Sequence, residues 1–459
     1  MEVFDRGLFA FTIASHIILV SMSLGLIVLM VFTEFLAIRR KDSHLKALLE
    51  RLTKVFVISF GVGTASGIVM AVELVMLFPT FMTAVSLTGV IAIFYFEVFA
   101  FMLETVALIV YVYYADRFRS PYAHWAVSIL VLAGVLLSAV FIVMVNAWMN
   151  TPNGFTSLTV GPNGGVAVTG VNPWAPFASA SAFPEIAHVL PTVTLTGVML
   201  VGSLLAASYL RARDAEERTT LIGGLKIAAL LGIVLIVVAG ASGANEVTTL
   251  FHDQPLKYAA VELDPNPGPN QPETLFGSLS GMTIVGGFGI PGLQSALLQM
   301  ETGSAWAPGL SQYPAADWPP LWIHITFDIM VLGGLLIGLY FFLYFVSLVV
   351  LRRKPFQSRL FLYSWIPMSA LTLVVMELGW VTDEVGRQPW IIYQTMTVSQ
   401  AANYSSGLLV PGISIIVFYL LLFPLTFYFF GRIFNGARGA NARSGPDGES
   451  AAADPGVHA

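Results

Sequence analysis

Nine long apolar segments dominate this sequence, and each is long enough to cross a lipid bilayer as a helix. They lie near residues 8–35, 55–78, 88–113, 125–147, 185–210, 222–243, 321–351, 361–381 and 407–431. A spanning helix needs about 20 apolar residues. A chain with 56% hydrophobic and 11% charged residues is neither a soluble globular protein nor a disordered one. We therefore expect an all-α integral membrane protein with nine transmembrane helices.

The positive charges are distributed very unevenly between the two sets of loops. Nineteen of the 22 Lys and Arg residues fall on one side: Arg39, Arg40, Lys41, Lys46, Arg51, Lys54, Arg117, Arg119, Arg211, Arg213, Arg218, Lys226, Arg352, Arg353, Lys354, Arg359, Arg432, Arg438 and Arg443. The positive-inside rule assigns this side to the cytoplasm, which predicts an N-terminus outside and a C-terminus in the cytoplasm. The three remaining cations, Arg6, Lys257 and Arg387, lie on the outer side and need individual explanations.

The spans define a membrane domain over residues 1–434, with its longest connection, about 244–320, on the outer side. Residues 435–459 are small and polar, and are expected to form a disordered cytoplasmic tail. The cations are dispersed among short loops, so no basic face is available for nucleic acid. The chain has no cysteine, which excludes disulfides, iron–sulfur clusters and thiolate ligation of haem.

Four side chains inside the spans are candidate metal ligands. His16, His188, Met330 and Glu384 all fall in roughly the outer third of their spans. Histidine and methionine together hold a six-coordinate haem iron, whereas a lone histidine or carboxylate leaves one axial position open. The alternative is that the histidines form hydrogen bonds between helices and that Met330 only packs.

Two acidic residues in the third span share one helix face. Glu97 and Glu104 are seven residues apart, which places them on nearly the same face about 10 Å apart along the axis. This arrangement suits a proton relay; alternatively, one acid is paired with another helix and the other lines a watery cleft. Glu34, at the inner end of the first span, is expected to snorkel to the interface.

One motif is long enough to indicate a family. Residues 379–390 read GWVTDEVGRQPW, which resembles the GWxxxExGRQPW signature of subunit I of cytochrome bd-type quinol oxidases. The segment NAWMNTPNGF from Asn146 resembles the family's NGWMQNP segment. The segment QPLKYAAVE is similar to its K-x-AAxE quinol-loop segment. The length of the outer loop resembles the short-loop branch of this family.

The resemblance implies a role for most of the candidate residues. It makes His188 and Met330 the ligands of a low-spin haem b, and His16 and Glu384 ligands of high-spin haems. It leaves open which high-spin haem each of these two holds. It also implies that Trp380 and Arg387 contact haem and that Lys257 and Glu262 bind quinol. The expected cofactors are two haem b and one haem d, or a third haem b in its place.

The resemblance also implies the reaction. Quinol would be oxidised at the outer face, and dioxygen would be reduced to water with cytoplasmic protons that pass Glu104 and Glu97. Such a reaction generates proton motive force without pumping. The expected partners in the cell membrane are a second hydrophobic subunit, small single-helix subunits, quinol and dioxygen.

One departure from the family pattern keeps alternatives open. Asp328 stands two residues before Met330, where the family has an arginine. An anion at this position would disfavour the reduced haem and change the redox balance. The alternatives are therefore a divergent paralogue that binds haem b without reducing dioxygen, and an ion-coupled transporter that uses the same membrane acids.

Overall fold

The computed structural model describes residues 2–435, and within this range it contains nine helices long and apolar enough to span a membrane. These are α1 (Glu2–Arg40), α2 (Ser43–Leu77), α4 (Ile91–Tyr113), α5 (Pro121–Asn150), α6 (Ala182–Arg211), α7 (Ala215–Asp253), α10 (Ile323–Phe345), α11 (Arg359–Gly386) and α13 (Leu409–Asn435). The short helices are α3 (Pro79–Thr88), α8 (Pro255–Val261), α9 (Leu293–Thr302) and α12 (Val398–Ala401). The all-α membrane fold is thus confirmed. The predicted tail, beyond residue 435, lies outside the described residues.

Short β-ribbons, which the sequence did not indicate, decorate the loops on one face. Each is an antiparallel pair: β1 (Ser157–Val160) with β2 (Val166–Thr169), β3 (Glu273–Leu275) with β6 (Phe288–Ile290), β4 (Ser278–Ser280) with β5 (Thr283–Val285), and β7 (Trp390–Ile392) with β8 (Met396–Thr397). Strands of two to four residues are too short to show the alternation of apolar and polar residues by which strands are recognised.

Several helices extend well beyond their apolar segments. Helices α1 and α7 have 39 residues each, about 58 Å at 1.5 Å per residue, against a hydrocarbon core of about 30 Å. Helix α7 continues to Asp253, so the outer loop begins at Gln254 and not near residue 244 as predicted. Hydropathy detects only the part of a helix that lies in lipid. It therefore missed the polar stretch ANEVTTLFHD, which continues the same helix beyond the lipid.

The spanning helices pack as two four-helix groups that meet along α1 and α6. The first group consists of α1, α2, α4 and α5, and the second is a closed ring of α6, α7, α10 and α11. Gly25 of α1 and Gly197 of α6 bring these two backbones into direct contact, because a Cβ on Gly197 would collide with the carbonyl of Ser21. Helix α13 packs at the side, against α1, α2 and α6.

Antiparallel packing divides the loops between two faces. The cation-rich face carries the connections at residues 41–42, 114–120, 212–214 and 351–358; the opposite face carries all the β-ribbons and the long loop after α7. On the cation-rich face, Arg51 of α2 donates two hydrogen bonds, of 2.5 and 2.7 Å, to Glu217 of α7. Glu34 does not snorkel as expected: it is 3% exposed and bound to two neighbouring helices.

Candidate functional site

His188 lies in the first two turns of α6 and faces α7 across a glycine. Its Nδ1 lies 3.1 Å from the carbonyl oxygen of Ala239. Because a carbonyl can only accept, Nδ1 carries the proton and Nε2 keeps a free lone pair. A Cβ on Gly243 would lie 3.2 Å from Cε1 of His188, so the glycine leaves space beside the ring. An imidazole with its Nδ1 proton bound to a carbonyl is the usual form of a histidine metal ligand.

Met330 occupies the corresponding position on α10. A Cβ on Gly379 of α11 would lie 3.1 Å from the Met330 sulfur. The helices that carry His188 and Met330, α6 and α10, are diagonal members of the ring formed by the second group. Two donors on diagonal helices, each beside a glycine, are compatible with a planar cofactor held in the core of the ring.

His16 is placed in the first group. Its Nδ1 lies 3.1 Å from Oγ of Ser66 on α2, and this hydroxyl lies 2.7 Å from the hydroxyl of Tyr419 on α13. A Cβ on Gly67 would lie 3.3 Å from Cε1 of His16. The ring is therefore fixed through Nδ1 and has space on its other edge. A lone imidazole of this kind is compatible with one axial bond to iron.

The C-terminal end of α11 is the centre of a set of largely buried polar residues, here called the outer polar network. Arg387 is 2% exposed and donates to Glu384 at 2.6 Å, to Asn146 at 3.1 Å and to Asn150 at 2.8 Å. Both asparagines also donate to Glu185 of α6, at 3.3 and 2.7 Å. The network thus joins α5, α6 and α11 at the junction of the two groups, and 35% of the Glu384 side chain stays accessible.

Lys257 belongs to the same network, through Asp383. Its side chain is 3% exposed, and Nζ lies 2.5 Å from Oδ1 of Asp383. Its aliphatic chain packs on Gly386, where a Cβ would lie 2.8 Å from Cε of Lys257. Asn146 and Asn150 complete the shell of Asp383 at 2.5 and 3.1 Å. Lys257, the candidate quinol residue, is therefore bound to Asp383, which is next to the candidate iron ligand Glu384 in α11.

Glu262, the other candidate quinol residue, follows α8 in a concentration of acids. Its side chain is buried and, within residues 2–435, has no hydrogen-bond partner. Burial, and next the charges of Glu273 and Asp264, raise the pKa of Glu262 well above its usual range. Burial likewise raises the pKa of Asp264 to about 7 and that of Glu273 to about 6. Of these three acids, Asp264 has the pKa that suits proton exchange near neutral pH.

Asp328 attaches the outer loop to α10. It is 3% exposed, its Oδ2 accepts a 2.6 Å hydrogen bond from the Phe276 amide, and it lies 3.3 Å from Nε2 of His324. His324 in turn lies 2.7 Å from the carbonyl oxygen of Val261, next to Glu262. Asp328 therefore binds the outer loop at Phe276, a contact that its sequence position near Met330 did not indicate. The predicted effect on the haem redox balance stays a prediction.

The two acids of α4 lie along its contact with α5. Glu97 accepts a 2.9 Å hydrogen bond from the hydroxyl of Ser138. Glu104 is 6% exposed, and its carboxylate has no hydrogen-bond partner in the described part of the chain. Gly134 of α5 packs against the backbone of Glu104, where a Cβ would lie 2.6 Å from the amide nitrogen. The single glycine lets the two helices approach at the level of this acid.

Sequence reasoning missed four members of the network. Asp383 and Glu185 received no role, and Asn146 and Asn150 appeared only as letters of a motif. A signal for the asparagines was present, because two amides four residues apart share a helix face at the end of an apolar span. Trp380, in contrast, was expected at the cofactor; it is half-buried and packs against the main apolar core.

Comparison with known proteins shows a family match over nearly the whole chain. A family model described as "Cytochrome bd terminal oxidase subunit I" matches residues 4–437. A Bacillus subtilis (strain 168) protein, provisionally named as subunit I of a cytochrome bd menaquinol oxidase, is 30% identical over 88% of this chain and 90% of its own length. The cytochrome bd ubiquinol oxidase subunit 1 of the same organism is 26% identical, over 94% and 92%.

A solved structure extends the agreement to three dimensions. The bd oxidase from Geobacillus thermodenitrificans superposes with a TM-score of 0.85 and 27% sequence identity, covering 95% of this chain and 98% of the other. The chain therefore belongs to the cytochrome bd terminal oxidase subunit I family, a family of multi-pass membrane quinol oxidases that carry haem.

Proposed function

We propose that this chain is the haem-carrying subunit of a terminal quinol oxidase that oxidises quinol at the outer face and reduces dioxygen to water. The observation that carries the proposal is the outer polar network. In it Lys257 donates to Asp383, the residue next to Glu384, and Glu384 accepts a hydrogen bond from Arg387. A transporter would have no use for a link between a quinol-loop lysine and a GRQPW motif. The family assignment supports the same reaction.

We assign the haem ligands from the donor side chains that the two four-helix groups provide. His188 and Met330 would hold a low-spin haem b, while His16 and Glu384 would each hold a high-spin haem. The full set would be two haem b and one haem d, or a third haem b. Haem, when bound, would supply the one-electron redox chemistry and a site for dioxygen. Arg387 would neutralise the Glu384 carboxylate or a propionate, and Trp380 would line the cofactor.

At the outer face, the loop residues would bind quinol and remove its protons. Lys257, held by Asp383, would orient a quinol oxygen by donating a hydrogen bond. Glu262 would accept a quinol proton, because it is a buried carboxyl group without a hydrogen-bond partner in residues 2–435 and lies five residues after Lys257. The acids around Glu262 give this proton a route to the outside, so that quinol oxidation releases protons there.

The protons for water would come from the other side of the membrane. Glu104 and Glu97 would carry them along α4 from the cation-rich face, which the positive-inside rule makes cytoplasmic. Release outside and uptake inside separate charge across the membrane without a pump. The N-terminus would then be outside, with residues 1–434 as the membrane domain and 435–459 as a cytoplasmic tail.

The working enzyme would contain more than this chain. Members of the family normally pair subunit I with a second subunit, and we propose such a partner here, with small single-helix subunits as further candidates. The nine apolar helices place the complex in a membrane, and a respiratory function makes this the cell membrane.

One experiment tests the function as a whole. The complex purified with its partner should consume dioxygen when given a short-chain quinol, and reduced-minus-oxidised spectra should show low-spin and high-spin haem bands. Haem bands without oxygen uptake would support the divergent paralogue instead. The absence of haem from the folded complex would contradict the proposal and favour a transporter. Chromatography of the extracted pigments would identify haem b and haem d.

The buried ion pair between Lys257 and Asp383 gives a prediction. Lys257→Met should raise the quinol KM and also shift the high-spin haem bands, because Asp383, which is half-buried beside Glu384, is left as an anion without its cation. Breaking a buried pair costs about 3–5 kcal/mol, whereas removing both charges costs much less. Lys257→Met with Asp383→Asn should therefore restore the haem bands but not the KM. Steady-state kinetics and difference spectra measure the two effects separately.

Glu262→Gln provides the comparison for this prediction. It removes the second quinol residue without breaking an ion pair, so quinol turnover should fall while every haem band stays normal. If the haem bands stayed unchanged in Lys257→Met as they should in Glu262→Gln, the contact between Lys257 and Asp383 would have no effect on the haem.

A further inference from the structure

Besides Glu104, a second buried acid, Glu34, lies near the cation-rich face. It contacts α4, the helix that carries the proposed proton path, and also α5. Glu34 of α1 is 3% exposed. Its Oε1 lies 2.5 Å from Nδ1 of His124 on α5, and its Oε2 accepts a 2.9 Å hydrogen bond from the hydroxyl of Tyr111 on α4. Three helices of the first group thus converge on one carboxyl group.

The contacts of His124 determine how many protons this group holds. Nε2 of His124 lies 3.0 Å from the backbone carbonyl oxygen of Tyr111. A carbonyl cannot donate, so Nε2 carries a proton in either charge state of the ring. One further proton is then shared between Nδ1 of His124 and Oε1 of Glu34. It can reside on the imidazole or on the carboxyl group, so the pair can load and pass on a single proton.

The accessibility of the two partners gives this transfer a direction. The His124 side chain is 18% exposed, whereas that of Glu34 is 4% exposed. His124 is the fourth residue of α5, next to the loop at residues 114–120 on the cation-rich face. A proton can therefore reach the imidazole from the solvent side and leave toward the interior through Glu34.

The interior side leads to the acids of α4. Tyr111 follows Glu104 by seven residues, as Glu104 follows Glu97, so all three lie on nearly one face of α4 at intervals of about 10 Å. Helical side chains point toward the N-terminus of their helix. The Tyr111 ring therefore points from the cation-rich face in the direction of Glu104. Water molecules would have to bridge the distance that remains between the Tyr111 hydroxyl and the Glu104 carboxyl group.

We propose that His124 and Glu34 form the cytoplasmic loading site of the proton path, with Tyr111 as the connection to Glu104. This inference rests on the proposed function, in which Glu104 carries protons for dioxygen reduction. A proton would bind Nδ1 of His124, pass to Oε1 of Glu34, and continue through the Tyr111 hydroxyl and water to Glu104. No electron moves in these steps.

The alternative is a purely structural ion pair, and the same face contains one for comparison. Arg51 and Glu217 join α2 to α7 with two hydrogen bonds, but arginine keeps its proton in proteins and cannot pass it on. Glu217 is moreover on α7, away from the face of α4 that carries Glu104. The substitution Glu217→Gln is therefore a matched control for Glu34→Gln.

The test measures oxygen uptake driven by quinol in the purified complex. Glu34→Gln keeps hydrogen-bonding groups for both Tyr111 and His124, so haem content and the reduction of the low-spin haem by quinol should stay normal. Steady-state oxygen uptake should fall about tenfold or more, which corresponds to about 1.4 kcal/mol in the barrier. The solvent isotope effect on turnover should increase, because proton supply has become limiting. Glu217→Gln should change neither quantity.

A double variant tests whether the two residues act in series. His124→Ala should also lower turnover, and His124→Ala with Glu34→Gln should fall no further than the slower single variant. Multiplied losses, lost haem in Glu34→Gln, or wild-type turnover in Glu34→Gln would each overturn the loading site. Glu104→Gln, measured in parallel, separates the two proposals: if it loses turnover while Glu34→Gln does not, only the loading site is wrong.

Discussion

Replacing His188 or Met330 with Ala should remove the low-spin haem signal and abolish quinol-driven oxygen uptake. His188 and Met330 would hold the same haem from α6 and α10, so the loss of either side chain removes half of the proposed ligand set. The glycines opposite them, Gly243 and Gly379, provide no side chain at all. Reduced-minus-oxidised spectra and haem content per mole of protein measure the first effect, and oxygen uptake measures the second.

Controls of the same residue types separate ligation from general damage. His252→Ala changes a histidine at the exposed end of α7, and Met368→Ala changes a half-buried methionine of α11 in the same four-helix group. Both should keep the low-spin spectrum and most of the oxygen uptake. A normal low-spin spectrum in both His188→Ala and Met330→Ala would show that the ligand assignment is wrong.

The sequence was sufficient for the membrane fold because every spanning helix must satisfy its own backbone hydrogen bonds and present apolar side chains to lipid. This constraint acts on each segment separately, so hydropathy detected all nine helices. It does not act on helix ends outside the hydrocarbon core, and α7 therefore continued ten residues beyond its predicted end at 243. The β-ribbons of the loops were missed for a different reason, because strands of two to four residues are too short to show an alternation of apolar and polar residues.

The candidate site was only partly predictable. His188 stood out because an ionisable side chain is unusual in lipid, and Glu384 and Arg387 stood out through their motif. Met330 was noticed only through its depth and the family resemblance. Asp383 did not, because its partner Lys257 is 126 residues away and only the folded chain brings them together. An ion pair of this kind has no local pattern in the sequence.

Glu34 shows the opposite failure, in which a local rule gave the wrong answer. A glutamate near the inner end of a span usually reaches the interface, and the rule considers only its own helix. Here α4 and α5 cover that end of α1 and provide Tyr111 and His124 as partners. Burial at a helix end is a property of neighbouring helices, and the periodicity of one span does not contain it.

Glu104→Gln should yield a fully assembled protein that takes up electrons but reduces dioxygen slowly. Gly134 packs against the backbone of Glu104, and the carboxylate itself has no hydrogen-bond partner in residues 2–435, so an amide of the same size should fit. Gln cannot bind and release a proton. Since positioned acids and bases typically contribute 10²–10⁴-fold to a rate, turnover should fall by about 10²-fold or more.

Three measurements decide what the loss in Glu104→Gln means. Haem content tests assembly, rapid mixing with quinol under anaerobic conditions tests electron delivery to the low-spin haem, and oxygen uptake tests the complete reaction. Normal haem and fast haem reduction with slow oxygen uptake would support the relay. Missing high-spin haem would instead indicate that Glu104 stabilises the cofactor site, as buried acids in membrane helices also do. Wild-type oxygen uptake would exclude both roles, and it would show that protons reach the oxygen site without Glu104.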